Sequence, residues 1–429
     1  MEECSKPAEE ERGSQDTLTD LLRTGAQQLI AQALKAEVAD LLATYSDQRD
    51  EQGYARVVLS GHQPQREIQT GIGPVTVHVP KVRSRQGAPV SFHSALVPPY
   101  VRKTATLEAA IPWLYLKGIS TGEMQPALEA LVGPEAKGLS VSTVARLKQV
   151  WGEEYAVWRQ RRLHADDWVY LWVDGIYSGL RAETQRLCAL VVIGMNAKGE
   201  KQLLAMEDGV RESTQSWREV LLHLKARGLT AVALAIGDGA LGFWAAVEEI
   251  FPRTRHQRCW VHKTRNVLNA LPKSVHPKAK AALQEIGQAP SKTLAEKAFE
   301  VFLNTYELKY PKATICLQKD REELLMFYAF PAAHWPSIRT TNPIESTFGT
   351  IRHRTARTKG CLTRDGMLHM MFKLGCCAEK TWRRLRGFKE LPKVVAGLTF
   401  IDGIEEKPTD SVAACGLPPL NRSDAYVTG

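Results

Sequence analysis

The chain has 429 residues, of which 44% are hydrophobic and 24% are charged, with a formal net charge of +9. This length predicts two or three domains, the composition excludes a disordered chain, and the apolar stretches are too short to cross a membrane. No basic-then-apolar signal segment opens the chain and its eight cysteines are thinly spread, which favours a reducing, cytoplasmic location.

The charge is unevenly distributed along the chain. Residues 1–50 contain 5 Lys/Arg and 11 Asp/Glu, whereas residues 345–391 contain 11 basic and 4 acidic residues. A basic body with an acidic leader favours a polyanionic partner, although solubility alone is also consistent with mild basicity.

The amino-terminal part changes its pattern several times. Residues 1–15 are polar and are expected to form a disordered leader, and helical periodicity then continues to about residue 45. Residues 66–80 alternate around a Gly-Pro pair, which predicts a small β-hairpin containing Ile68 and Val75. Helical periodicity returns over 104–160.

Two of the helices predicted in this last stretch outline a helix-turn-helix. The second begins in a Ser/Thr cluster at 140–143 and presents Arg146 and Lys148, which are expected to contact DNA in the major groove. An ordinary helical hairpin is an equally good interpretation of the pattern alone.

From residue 167 the pattern becomes α/β. Three strand-like segments, "DWVYLWVDG", "RLCALVVIGMN" and "KQLLAMED", are followed by helices that alternate with two further strands, ending at "RTRHQRC". This is the order of a ribonuclease-H-like sheet, among other α/β options. Residues 275–330 and the basic segment after Asn342 are predicted to be helical.

Two aspartates occupy matching places on the predicted strands. Asp174 ends the apolar segment "YLWVDG" and Asp238 ends "ALAIGDG", so neighbouring strands would bring both carboxylates into one crevice. Like charges at close range require a cation, and Mg²⁺ is the hard, oxygen-binding candidate. The alternative is that each aspartate only caps the glycine turn that follows it.

A third carboxylate lies in the segment "TTNPIESTFGTIRHRTARTKG". Asn342 is expected to be a helix N-cap, and Glu345 would then ordinarily complete a capping box. The cations that follow, Arg352, Arg354 and Arg357, favour a cation-bridged phosphodiester beside Glu345 instead. Three such carboxylates can hold two Mg²⁺ ions for in-line displacement at phosphorus.

The segment "RHQRCWVHKTRN" contains a Cys-x-x-His pair, Cys259 and His262. Zinc usually needs a second ligand pair, which the rest of the sequence does not supply, so a zinc site is the minor alternative. The cations around the pair, including Arg258 and Lys263, are expected to hold a DNA backbone.

Taken together, three segments resemble the signature blocks of the Mutator-type transposases, in the branch found in bacterial and archaeal insertion sequences. They are "LWVDGIYSGLR", "AIGDGALGFWAAVEEIFPRTRHQRCWVHKTRN" and "RTTNPIESTFGTIRHRTARTKG". Their order and spacing fit as well, because the gap from Asp174 to Asp238 is shorter than the gap from Asp238 to Glu345. The longer second gap accommodates the all-helical insertion of the family. The resemblance covers roughly residues 50–400.

The resemblance implies a ribonuclease-H-like core, a mixed sheet flanked by helices, whose metal-binding triad is Asp174, Asp238 and Glu345. It implies a transposase that binds the terminal inverted repeats of its element and cleaves and transfers strands with two Mg²⁺ ions, or Mn²⁺ as a substitute. Cys259 and His262 become a family marker, with Cys259 as packing and His262 as a contact to DNA or phosphate. A homodimer or larger assembly on double-stranded repeat and target DNA, nucleoid-associated in a prokaryotic cytoplasm and without a membrane, is also implied.

These interpretations divide the chain into regions of different expected roles. The division is a leader (1–15), a helical region (16–50), a β-rich region (51–103), a helix-turn-helix-like DNA-binding region (104–164), the first part of the core (165–272), an all-helical insertion (273–335), the final part of the core with the Glu345 helix (336–400) and a tail (401–429). Two other functions stay open: a DNA-binding regulator descended from a transposase but without catalysis, and a structure-selective nuclease that lacks strand joining.

Overall fold

A computed structural model describes residues 17–85, 88–119, 123–133, 141–180, 186–209, 211–357 and 363–406. The predicted leader at 1–15 and the tail after 406 lie outside these ranges. The chain divides into two compact units, Met1–Leu147 and Lys148–Gly429. Within the described ranges, no helix has both the length and the apolar character needed to cross a membrane.

The first unit combines a long helix with two antiparallel pairs of short strands. Its first elements are α1 (Thr17–Thr44), β1 (Val57–His62), β2 (Arg66–Thr70), β3 (Gly73–Val77) and β4 (Pro80–Ser84). β2 pairs with β3, which confirms the predicted hairpin, but the turn lies at 71–72 and the Gly-Pro pair expected to form it lies in β3, where Pro74 pairs with Gln69. β1 pairs with β4. Val75 and Val77 of β3 are buried, as the two-residue period of a strand requires, and they pack in one cluster with Leu34 and Val38 of α1.

Three helices follow the strands and confirm the helical pattern predicted over 104–160. They are α2 (Ala105–Lys117), α3 (Met124–Val132) and α4 (Val141–Arg159). The turn expected between α3 and α4 falls on residues 134–140, outside the described ranges. The helix-turn-helix therefore stays a prediction.

The second unit is built on a five-stranded mixed sheet. Its strands are β5 (Trp168–Ser178), β6 (Leu187–Asn196), β7 (Lys201–Gly209), β8 (Leu234–Gly237) and β9 (Arg255–Arg258). They lie in the order β7-β6-β5-β8-β9, with β5 antiparallel to β6, β6 antiparallel to β7, and β5, β8 and β9 parallel. The α/β class and the five expected strands are confirmed.

The two faces of β5 have different partners. Leu171 and Val173 join the apolar cluster formed with α5 (Thr214–Ala226) and α6 (Leu241–Ile250). Trp172 points to the opposite face, where its indole N–H donates to the Ser337 carbonyl at 3.1 Å. Because side chains alternate along a strand, Asp174 shares the face of Trp172.

The chain after β9 is largely helical. The remaining elements are α7 (Trp260–Asn269), α8 (His276–Gln288), α9 (Lys292–Tyr306), α10 (Pro311–Gln318), α11 (Arg321–Leu325), α12 (Trp335–Ile338), α13 (Asn342–Arg357), α14 (Arg364–Glu379), α15 (Leu391–Val395), β10 (Phe400–Ile401) and β11 (Ile404–Glu405). Of the described residues between 259 and 399, none lies in a strand. β10 and β11 form a hairpin over residues 400–405.

The close approach of β5, β6 and β7 gives a test of the sheet. A Cβ on Gly194 of β6 would meet Leu204 Cδ1 and would lie 2.7 Å from Trp168 Cε3. Gly194→Ala is therefore expected to lower the free energy of unfolding by about 1–3 kcal/mol, the usual cost of overpacking a core. Gly349→Ala is the matched control, because a Cβ there meets nothing within 4 Å on α13. Equal melting temperatures for the two variants would contradict this packing.

Candidate active site

Asp174 and Asp238 come to the same level of the sheet. Asp174 lies inside β5 and not at its end, where the sequence places it, because β5 continues to Ser178. The parallel pairing of β5 with β8 ends where Trp172 meets Ile236. Asp174 lies two residues after Trp172, and Asp238 lies two residues after Ile236. Both carboxylates therefore lie just past the end of the pairing.

The two aspartates are only partly satisfied by their own backbone. The Gly175 N–H donates to Asp174 Oδ1 at 2.8 Å, and the Ala240 N–H donates to Asp238 Oδ1 at 3.0 Å. Each local cap therefore occupies one carboxylate oxygen. Asp174 is only 7% exposed, and its burial, reinforced by the charge of Asp238, raises the pKa of Asp174 to about 7. These carboxylates repel each other in a poorly solvated place.

Glu345 lies in the first turn of α13, and its contacts exclude the capping box. Thr341, and not Asn342, is the N-cap, because its carbonyl accepts the Glu345 N–H at 3.0 Å. Glu345 is therefore the fourth helical residue, whereas a capping box requires the glutamate at the third. The Thr341 N–H, which a capping-box glutamate would accept, donates to Cys259 Sγ at 3.3 Å. Glu345 Oε1 lies 3.4 Å from Thr341 Oγ1 and 3.6 Å from His262 Nε2.

Cys259 and His262 lie beside these carboxylates and both contact Thr341. Cys259 is fully buried, and its burial raises the thiol pKa, but hydrogen bonds with His262 and Thr341 outweigh this effect and lower it overall. The hydrogen bond to Cys259 raises the pKa of His262, and the charges of Asp174 and Asp238 act in the same direction. The pair therefore favours a cationic imidazole within the acidic cluster.

A fourth carboxylate, Glu212, belongs to the same neighbourhood and was missed by sequence reasoning. It packs directly over Gly175, since its Oε1 lies 2.5 Å from the position that a Cβ on Gly175 would take. Burial and the charge of Asp238 raise the pKa of Glu212. Its only local signal is that it precedes Ser213, the N-cap of α5, and this says nothing of Asp174.

Two of the cations expected to contact DNA are buried instead. The Lys263 side chain is completely inaccessible and its Nζ lies 2.5 Å from Asp320 Oδ2. The Arg258 side chain is 8% exposed and its Nε lies 3.1 Å from the same oxygen. Burial takes both side chains out of the set that can contact DNA directly.

The other predicted DNA contacts stay predictions. Arg352 on α13 is exposed, with its guanidinium 5.8 Å from the centroid of the Phe348 ring. On α4, Arg146 is exposed and Lys148 is half-buried. The side chains of two further residues lie outside the described part of the chain: Arg354 and Arg357.

Asp174, Asp238 and Glu345 are the residues whose chemistry fits a divalent cation. Their carboxylate oxygens are hard ligands, and the repulsion within the aspartate pair is the feature that a cation would relieve. As the described side chains stand, no three His, Cys, Asp or Glu residues are grouped to hold a metal. The zinc alternative has less support, because among the described residues no third His, Cys, Asp or Glu is grouped with Cys259 and His262 to hold a metal.

Comparison with known proteins adds an independent observation. The model of the family described as "Transposase, Mutator family" matches residues 2–369. A transposase for insertion sequence element IST2 from Acidithiobacillus ferrooxidans is 52% identical over 282 residues, which are 66% of this chain and 95% of the relative. A transposase for IS6120 from Mycolicibacterium smegmatis is 47% identical over 319 residues, 74% of this chain and 97% of the relative.

The raised pKa of Asp174 predicts a pH-dependent effect of Asp174→Asn. The folded protein retains the Asp174 proton up to about pH 7, whereas the unfolded chain loses it near pH 4. The free energy of unfolding of the wild type should therefore decrease as the pH rises from about 4 to about 7. Over this range the variant should become more stable relative to the wild type by about 1–3 kcal/mol, and at higher pH the difference should stay constant. Thermal unfolding with a chelator from pH 4 to pH 8.5 measures this difference. A difference that does not change with pH would contradict the burial of this carboxylate.

Proposed function

The chain belongs to the Mutator family of transposases, and from this premise we propose that it cleaves and transfers DNA strands at Asp174, Asp238 and Glu345. The observation that carries the proposal is the aspartate pair, which the shared register of β5 and β8 brings to one level. Asp174 is buried and Asp238 is half-buried, and like charges in such a place are costly unless a cation compensates them. Such an arrangement is typical of a site that binds one.

The sheet supports the proposal that this is a ribonuclease-H-like core. Three antiparallel strands are followed by two parallel ones, and Asp174 lies on the central strand. The helices from His276 to Ile338 lie between β9 and α13 in the chain. In the proposal they are the all-helical insertion that precedes Glu345.

The proposed triad would hold Mg²⁺, with Mn²⁺ as a substitute. When bound, two such ions would activate the attacking oxygen and stabilise the leaving oxygen of a phosphodiester. The protein contributes the placement of the ligands. β5 and β8 fix the aspartates, and Thr341 ties the start of α13 to Cys259. Glu345 would leave its contact with His262 to approach the aspartates.

The proposed substrates are the terminal inverted repeats of the element and its target DNA. The basic balance of the chain supports a polyanionic substrate, and Arg352 on α13 is exposed two turns after Glu345. Repeat recognition is assigned to residues before about 160, with Arg146 on α4 as a contact. Binding as a homodimer or larger assembly on paired ends is part of the proposal.

A DNA-binding regulator without catalysis is the second candidate. The observation that favours it is that, among the described side chains, the three carboxylates are not grouped to hold a metal as they stand. In that case the aspartates would serve as turn caps, each accepting one backbone N–H. The repulsion between buried Asp174 and half-buried Asp238 argues against this function, because neutral caps would avoid it.

Cleavage and joining of a labelled duplex carrying the element's terminal repeat tests the proposal. Asp174→Asn, Asp238→Asn and Glu345→Gln should each lower the cleavage rate by about 100-fold or more in Mg²⁺, because each removes a proposed ligand. Affinity for the duplex should stay within about twofold. Glu249→Gln is the matched control, since it removes a carboxylate from an exposed ion pair with Arg218.

The outcomes separate the candidate functions. Metal-dependent cleavage and joining by wild type, lost in all three variants, supports the transposase. Cleavage without joining indicates a nuclease. Tight binding with no cleavage by wild type in Mg²⁺ or Mn²⁺ would establish the regulator and contradict the proposal.

Arg146→Ala tests the recognition region. Loss of this exposed cation should weaken binding to the repeat by about 5- to 50-fold at fixed salt if the guanidinium contacts a base edge. Lys312→Ala, an exposed cation on α10, controls for the loss of one positive charge. Equal affinities of the two variants for the repeat would remove Arg146 from the recognition surface.

A further inference from the structure

Asp320 contacts two buried cations, Arg258 at the end of β9 and Lys263 on α7. Asp320 precedes α11, but its side chain does not cap that helix. Its Oδ2 lies 2.5 Å from Lys263 Nζ and 3.1 Å from Arg258 Nε instead. An Asp at this position usually accepts a backbone N–H of the first turn, so the carboxylate has been diverted to the two cations.

Arg258 extends from this carboxylate to the turn that carries Asp238. A Cβ on Gly239 would fall on the guanidinium group, and all three heavy atoms nearest to that position belong to Arg258. Gly239 also has a φ of +92°, a region that other residues rarely adopt. The guanidinium therefore packs directly on the backbone next to Asp238.

Burial of the guanidinium leaves some of its hydrogen-bond donors unsatisfied. Arg258 Nη1 is buried without a hydrogen-bond partner, and Nε lies within ion-pair distance of Asp320 but is not aligned for a hydrogen bond. A buried donor left in this state is unfavourable. The ion pair with Asp320 is the interaction on the described residues that compensates the charge.

The backbone of β9 reinforces the same turn from its other side. Gly237 pairs with Arg258, and the Cys259 N–H donates to the Gly237 carbonyl at 2.9 Å. Within the turn, the Ala240 N–H donates to Asp238 Oδ1. Residues 237–240 are thus fixed by strand pairing before Asp238 and by the Arg258 guanidinium after it.

We propose that Asp320 and Arg258 are positioning residues that brace the Asp238 turn. Asp320 anchors the guanidinium, and the guanidinium presses on Gly239 so that the Asp238 carboxylate keeps its orientation. The consequence for catalysis rests on the function proposed above, in which Asp238 is a metal ligand. Asp320 lies between α10 and α11. Through Asp320, the helices after β9 would therefore help to position the Asp238 turn.

Hydrogen exchange of the segment 236–243 and repeat cleavage, both measured on the full chain, test the brace. Arg258→Lys keeps the charge opposite Asp320 but removes the planar group that packs on Gly239. It should accelerate exchange of the Ala240 amide by about 10-fold. It should also lower the kcat of cleavage by about 10- to 100-fold, the scale of a misplaced reacting group, while the KM for DNA stays within about twofold.

Two further variants keep the test decisive. Lys263→Met removes the other buried cation without altering the group on Gly239, and exchange of the Ala240 amide should stay within about twofold of wild type. Asp320→Glu keeps the carboxylate and should retain slow exchange. Unchanged exchange in Arg258→Lys, or equal acceleration in Lys263→Met, would overturn the brace and leave the cluster a structural ion pair.

Asp238→Asn separates a failure of the brace from a failure of the proposed function. If Asp238→Asn still cleaves, the proposed function fails, and the exchange rates alone then decide whether Arg258 braces the turn. If Asp238→Asn is inactive while Arg258→Lys cleaves at the wild-type rate, the proposed function stands and the brace is overturned.

Discussion

The parallel register between β5 and β8 is the constraint on which the rest of the site depends. A side chain on a strand changes face with every residue, so only one alignment places Asp174 and Asp238 together. The pairing of Trp172 with Ile236 satisfies this condition, because each aspartate follows its paired residue at the same distance along the chain. A slip by one residue would send one carboxylate into the apolar cluster with α5 and α6. The fold therefore enforces a repulsion between the two carboxylates, which the charge of His262 opposes.

The other components of the site act on this repulsion. Hydrogen bonding to Cys259 favours a charged His262 beside the aspartates. Thr341 connects Cys259 to the first turn of α13 and so sets where Glu345 begins. Glu212, over Gly175, adds another negative group. The result is a group of carboxylates with one imidazole. Such a group is suited to binding a metal cation in addition to the charge that His262 supplies.

Much of the fold follows from the sequence because local patterns determine it. The central strands of the sheet are continuous apolar runs. The hairpin of β2 and β3 and the helices after β9 have periods of about two and 3.6 residues. The errors are local as well. Asp174 is followed by glycine, which suggests a strand end, but pairing with β6 carries β5 on to Ser178. Asn342 has the better capping propensity, yet Thr341 takes that position, and its N–H donates to Cys259 Sγ.

The residues that sequence reasoning missed depend on distant contacts. Nothing near Glu212 in the chain indicates a relation to Asp174, because β6 and β7 lie between them. Nothing near Asp320 indicates a relation to Arg258, because the helices α7 to α10 separate the two. Lys263 has the spacing of a DNA contact, but its ammonium group is buried against Asp320. Sequence periodicity does not show which carboxylate pairs with a distant cation, because several carboxylates have the same local sequence pattern.

The central claim is that Asp174, Asp238 and Glu345 form one cation site. Crystals of the protein soaked in Mn²⁺ and measured at the manganese absorption edge test it most directly. The account predicts an anomalous peak in contact with Asp174 and Asp238, lost in crystals of Asp238→Asn. A peak on Cys259 and His262, or none near β5 and β8 at a Mn²⁺ concentration that supports cleavage, would contradict it.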